Sequence, residues 1–189
     1  MNKIFADWVY GALATGCLLV LLFPLLTIEW PTYMKLCYLS LPIYMFHQYE
    51  EWHQDRFRTF INNHLGDGRN LLTHEAGFVI NFFGVWGIIV IAMYLAYFVD
   101  PGYAAIAAFL LLINAFVHIA ASLVLRVYNP GLITAVFMFL PLGFYSVNSI
   151  NQANEGGMGY QVVGLVVAIA IHLSIVIYLL IRKRSIAHK

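Results

Sequence analysis

The residues of this 189-residue chain best suited to chemistry are histidines and carboxylates set in apolar sequence. His47, Glu50 and Glu51 are spaced i, i+3 and i+4, so a helix would place them on one face. Asn114 and His118 share a face of a second apolar stretch. Because histidine plus carboxylate is a usual ligand set for catalytic zinc or non-haem iron, we expect a divalent metal bound by His47, Glu51 and His118. Glu50 or Glu51 would then act as the catalytic base.

Three further polar side chains are expected near such a site. Asn81 and Asn114 would orient ligands or bind substrate, and His172 lies inside the last apolar stretch. Two simpler interpretations stay open. The glutamates could reach the membrane interface and pair with Arg56 or Arg58, and the histidine and asparagine side chains could only hydrogen-bond neighbouring helices.

The composition determines the class of protein that must position these residues. Hydrophobic residues make up 62% of the chain and charged residues 10%, against about 25% charged in soluble domains. This excludes a cytosolic globular protein, and ten Lys and Arg against nine Asp and Glu exclude a nucleic-acid-binding protein. Two cysteines provide no disulfide framework. The sequence therefore predicts an all-α integral membrane bundle.

Six stretches approach the roughly 20 apolar residues that a membrane helix needs. They run from about Trp8 to Leu26, Tyr33 to Glu51, Ala76 to Phe98, Tyr103 to Leu125, Pro130 to Asn148 and Tyr160 to Ile181. We expect one transmembrane domain over residues 1–189, with Asn129 capping the fifth helix and Pro130 at its first position. The connection at about 52–75 alternates apolar and polar residues, so we expect the second helix to continue into an amphipathic segment on the membrane surface.

The distribution of positive charge predicts the orientation. With six spans and an inner N-terminus, nine of the ten Lys and Arg fall on the inner side. Both termini and the 52–75 connection are then cytoplasmic, and a prokaryotic cytoplasmic membrane is the location we expect. In that topology the polar residues of four helices fall in one layer near the inner boundary, which favours a shared pocket.

The segment His47-Gln48-Tyr49-Glu50-Glu51 spells H-x-x-E-E, and it is followed by Asn81, by Asn114 with His118, and by Tyr128-Asn129-Pro130-Gly131. Over about residues 47–144 this resembles the HXXEE-domain family of small bacterial and archaeal membrane proteins. The resemblance implies no activity, since that family has none established, but it makes His47, Glu50 and Glu51 signature positions.

A second resemblance concerns the paired glutamates with Arg56, which are similar to the EExxxR motif of CAAX-protease-like membrane proteins. Here the arginine is one residue farther along, and the fourth stretch carries NxxxH where those proteins have HxxxN. The resemblance implies an intramembrane peptidase in which a glutamate activates water while His and Asn stabilise an oxyanion.

These observations support functions of different classes. The first is a metal-assisted hydrolase or other enzyme acting on a lipid or lipid-linked substrate among the membrane lipids. The alternative is a carrier or binding protein in which the same carboxylates hold an ion, a proton or a small molecule. A third possibility is a partner subunit whose polar layer only fixes helix packing.

Overall fold

The computed structural model describes residues 3–153 and 157–187. Within these residues it contains helices and no strands. The helices in chain order are α1 (Lys3–Leu26), α2 (Thr32–Trp52), α3 (Arg56–His64), α4 (His74–Phe98), α5 (Pro101–Leu125), α6 (Leu132–Ala153) and α7 (Met158–Ala187). The predicted helical bundle is confirmed, and each of the six long helices overlaps one predicted stretch.

Five helices of the described chain are long and apolar enough to cross a membrane: α1 (from Asp7), α4, α5, α6 and α7. The other long helix, α2, lies in the interior of the bundle, where it contacts α1, α4, α5 and α6. Twelve of its 21 residues are buried. Because α2 faces protein on most sides, it can carry polar side chains that a lipid-facing helix could not.

The connection between α2 and α4 differs from its prediction. Gln54 and Asp55 adopt left-handed backbone conformations, with φ of 55° and 62°, so α2 is interrupted and does not continue into α3. The apolar side of α3 packs inward, where Phe60 and Ile61 are buried. Asn62 fixes this arrangement because its side-chain oxygen accepts a hydrogen bond from the Leu72 amide at 2.7 Å. The connection therefore covers one end of the bundle.

The start of α6 also differs from its prediction. Asn129 was expected to cap this helix, but its side-chain oxygen has no hydrogen-bond partner in the described structure, and the helix begins at Leu132. Gly131, with φ of +101°, turns the chain into the helix in a conformation that favours glycine. The expected cap is thus wrong. The free amides of the first turn of α6 donate instead to the Glu50 carboxylate of α2.

Two helices are locally widened into π-helix beside the polar layer. One such segment is Ile80–Gly87 in α4, and the other is Ala135–Phe139 in α6. Short π segments inside α-helices often occur at functional sites. The second one places Phe139 against the His47 ring, with 4.3 Å between the ring centroids.

Candidate metal centre

His47, Glu51 and His118 meet inside the bundle, where α2 faces α5. Their residues are 0%, 5% and 3% exposed. The Glu51 carboxylate oxygen Oε1 lies 3.2 Å from Nε2 of His118 and 3.5 Å from Nε2 of His47. One potential ligand atom from each residue lies within 4.8 Å of the others, so the group could hold a metal ion.

A hydrogen-bonded chain determines which nitrogen of His47 carries the proton. The Thr134 hydroxyl donates to Oε2 of Glu50 at 2.6 Å, because that carboxylate oxygen is much nearer than its other acceptor, the Gly131 carbonyl at 3.2 Å. The hydroxyl has one proton, so its oxygen must accept the 2.8 Å hydrogen bond from Nδ1 of His47. Nε2 of neutral His47 therefore has a lone pair, which is the form that binds metals.

The consequence is an unpaired acceptor deep in the protein. His118 can donate its Nε2 proton to Glu51, but Nε2 of His47 has no hydrogen-bond partner in the described residues. It lies 3.5 Å from Oε1 of Glu51, which is itself an acceptor. Two buried acceptors at this separation are stabilised by a positive charge between them, either a proton shared by His47 and Glu51 or a metal ion.

Glu50 is directed away from this group and caps α6 from outside that helix. Its carboxylate accepts hydrogen bonds from the amides of Ile133 and Thr134 at 3.0 and 2.8 Å, and from the Tyr128 hydroxyl at 2.5 Å. A carboxylate is favourable at a helix N-terminus, where amides are free and the helix dipole is positive. Burial, and then the hydrogen bond to Glu50, raise the pKa of Tyr128 to about 12. Tyr128 therefore remains a donor to Glu50 at neutral pH.

Gly131 closes the site on the α6 side. A methyl group at this position would lie 2.7 Å from Cε1 of His118, 2.8 Å from Cε1 of His47 and 2.9 Å from Cγ of Glu51. All three distances are shorter than van der Waals contact allows. Only glycine lets the backbone pass this close to the three side chains, so the turn before α6 forms one wall of the site.

The other predicted site residues lie near the cluster without joining it. Asn81 accepts a hydrogen bond from Gln48 and donates one to the Gly77 carbonyl, both at 2.8 Å. Asn114 and His172 line a cavity next to Glu51 and His118. The structure thus brings together His47, Glu51 and His118, while the two asparagines and His172 surround them.

The cavity beside the cluster has a volume of about 450 Å³. Its polar end includes Glu51 and His118, and its remaining walls are mainly apolar side chains of α3, α5 and α7. Sites for small molecules in proteins combine a largely apolar wall with a few polar groups in this way.

Sequence reasoning missed two residues that shape the site, Thr134 and Gln48. Thr134 lies in the first turn of α6, where a threonine hydroxyl is expected to hydrogen-bond the backbone of its own helix. No sequence pattern connects Thr134 with His47, which lies 87 residues earlier. Gln48 follows His47 in the motif and is completely buried, where it accepts a 2.7 Å hydrogen bond from the Trp86 indole. A glutamine inside an apolar stretch was a signal that could have identified it.

Comparison with known proteins identifies the family without an activity. Residues 38–146 match the family described as "Protein of unknown function with HXXEE motif". The chain matches no curated protein and no solved structure. The matched region covers more than half of the chain and contains His47, Glu50, Glu51 and His118. The chain therefore belongs to the family of proteins of unknown function that carry the HXXEE motif.

Proposed function

We propose that this protein is a metal-dependent membrane enzyme, a hydrolase that acts on a lipid or lipid-linked substrate. His47, Glu51 and His118 would bind one divalent ion, zinc or iron. The observation that carries the proposal is the unpaired lone pair of His47, which faces the Glu51 carboxylate deep inside the bundle. A metal ion would satisfy both acceptors, whereas protonating a fully buried His47 costs free energy.

The number of ligands favours catalysis over a structural metal. Structural zinc sites are closed by four protein ligands, while catalytic sites have three and leave a position for water or substrate. The described residues offer three ligands, and the cavity begins beside two of them. A bound metal would supply a polarised water at neutral pH.

The structure suggests different roles for the two glutamates. Glu51 would be the carboxylate ligand. Glu50 would be a positioning residue, because its oxygens already accept hydrogen bonds from α6 and from Tyr128. Through the Thr134 hydroxyl it would hold the His47 ring in the metal-binding tautomer, the role that carboxylates beside metal-bound histidines often have.

Metal analysis of the purified full-length protein tests this proposal. We expect one zinc or iron per chain in the parent. Glu51→Gln and His118→Gln should lose it, with affinity reduced by at least about 100-fold, since removing a ligand costs more than the roughly 10- to 100-fold of an outer contact. Matched controls are Glu75→Gln and His64→Gln, whose exposed side chains lie outside the cluster.

The contrary result is equally specific. A parent without metal after purification in zinc- and iron-containing buffers would overturn the proposal. So would a parent whose metal survives both Glu51→Gln and His118→Gln. In either case the remaining explanation of the geometry is a proton shared by His47 and Glu51.

A further inference from the structure

The cavity beside the metal centre reaches the outer surface of the bundle between α5 and α7. These helices are in close contact at one end, where a methyl group on Gly164 would lie 2.7 Å from the Ala105 backbone. Toward the other end of the pair, Val117, Val124 and Val176 line the cavity although they are 48%, 80% and 49% exposed. In a membrane this opening would face lipid chains.

The size and walls of the cavity suit one apolar chain. Its volume of about 450 Å³ lies in the lower half of the roughly 300–1,000 Å³ typical of small-molecule sites. Phe57, Phe60 and Ile61 of α3 and Ile175 and Leu179 of α7 contribute apolar wall. A chain entering between α5 and α7 would therefore find hydrocarbon contacts along its length.

The charges at the polar end disfavour an acidic headgroup. Among the described residues that line the cavity there is no lysine or arginine. The ionisable side chains there are Tyr44, Glu51, His118 and His172. Phosphate and carboxylate groups are usually bound by Arg or Lys, and the one positive charge available here would be the proposed metal ion, which already has the Glu51 carboxylate as a ligand. The side chains of the wall therefore favour a ligand without negative charge.

The hydrogen-bonding groups of the polar end are mostly acceptors. Nδ1 of His172 donates to the Ala168 carbonyl at 2.8 Å, so its Nε2 has a lone pair. The side-chain oxygens of Asn114 and Asn129 are buried without a donor in the described chain. The Trp52 indole is the one buried donor without an acceptor among the described residues of the wall. Such a set is complemented by a ligand with hydroxyl groups.

From these observations we infer that the cavity binds a neutral, single-chain amphiphile whose headgroup carries hydroxyl groups, the chemistry of a monoacylglycerol. The inference rests on the proposed function in that it takes this cavity as the substrate site. The apolar chain would lie against α3 and α7, and the hydroxyl groups would donate to His172, Asn114 and Asn129. The ester would then lie toward Glu51 and His118.

Equilibrium binding to the purified full-length protein in detergent tests this inference, with radiolabelled 1-monooleoylglycerol as the probe. Two comparison probes share its oleoyl chain: methyl oleate, which lacks hydroxyl donors, and oleate, which is negatively charged. We expect saturable binding of one monooleoylglycerol per chain, roughly 10-fold or more tighter than either comparison probe. His172→Leu should weaken monooleoylglycerol binding and leave methyl oleate binding unchanged.

A pair of alanine substitutions tests whether the probe occupies this cavity. Ala121 lines the cavity, so Ala121→Phe should fill it and abolish binding. Ala170 is exposed and outside the wall, so Ala170→Phe should bind as the parent does. Ala121→Leu serves the same purpose if the Phe variant does not fold. Equal binding of all three probes, or parent-like binding by a folded Ala121 variant, would overturn the inference.

The metal content of the same preparations separates this inference from the proposed function. A parent that contains metal and does not bind monooleoylglycerol overturns the inference alone. A parent that binds monooleoylglycerol and contains no metal supports the inference and overturns the metal function. Binding retained by metal-free Glu51→Gln supports a cavity that recognises the amphiphile through its own side chains.

Discussion

The close approach of Gly131 to the three candidate ligands gives the sharpest test of the site. Gly131→Ala should destabilise the protein in two ways. The left-handed backbone at φ of +101° costs about 1–3 kcal/mol for a residue with a side chain. The added methyl group would also lie 2.7–2.9 Å from His118, His47 and Glu51, and such overpacking costs about 1–3 kcal/mol. The expected total is about 2–6 kcal/mol of unfolding free energy.

A second glycine isolates the contribution of the clash. Gly68 also has a positive φ, +78°, but a methyl group there would have no neighbour within 4 Å. Gly68→Ala should therefore show only the backbone cost. The difference between the two variants measures the contact with the site, and it should appear in thermal unfolding in detergent as roughly 2–4 °C for each kcal/mol.

Metal affinity provides the second readout. If the methyl group displaces His47, Glu51 or His118, Gly131→Ala should weaken metal binding by about 5- to 150-fold, the equivalent of 1–3 kcal/mol. Gly68→Ala should bind metal as the parent does. Equal stability and equal metal affinity in the two variants would refute the placement of Gly131 against the cluster.

Three further predictions test the surroundings of the site and the topology. Thr134→Val should weaken metal binding about 10- to 100-fold because it removes the hydroxyl that holds Nδ1 of His47, and Thr134→Ser should not; titration against a chelator measures both. Folding raises the pKa of Tyr128 to about 12 from about 10, so the stability that its protonated hydroxyl contributes is complete below pH 10 and is lost as the pH rises through 12. The free energy of unfolding of Tyr128→Phe should not show this decrease at alkaline pH. A reporter fused after Lys189 should be cytoplasmic and one inserted at Asn154 external, since nine of the ten Lys and Arg fall on the predicted inner side; exchanged signals would contradict that orientation.

Periodic features of this fold could be predicted from sequence, and irregular ones could not. Apolar length identified the long helices, and i, i+4 spacing placed His47 and Glu51 on one face. The interruption after α2 could not be predicted because Gln54 and Asp55 are not glycine, yet they adopt left-handed conformations that residues with side chains rarely adopt. No pattern in the neighbouring sequence indicates that the helix stops at these two residues.

The hydrogen-bond partner of Glu50 shows a second reason why the site could not be fully predicted from the sequence. Near the C-terminal end of α2, a carboxylate meets the negative end of the dipole of its own helix, and the sequence predicts a metal ion, held by one or both glutamates, as the compensation. The structure supplies another compensation for Glu50, the first turn of α6, which lies more than 80 residues later in the chain. A helix considered alone cannot reveal that contact, so the case for a metal now depends on Glu51.

The spacing of the H-x-x-E-E motif explains why adjacent glutamates are not interchangeable. Successive residues of a helix point about 100° apart, so Glu51, at i+4 from His47, faces His118 while Glu50, at i+3, faces α6. His47 lies between them, and its two nitrogens are directed to different carboxylates. Nε2 faces Glu51 directly, and Nδ1 reaches Glu50 through the Thr134 hydroxyl. Glu51 can thus complete the ligand set while Glu50 fixes the tautomer of His47. Because both glutamates act on His47, replacing either one with glutamine should also change the interaction of His47 with the other.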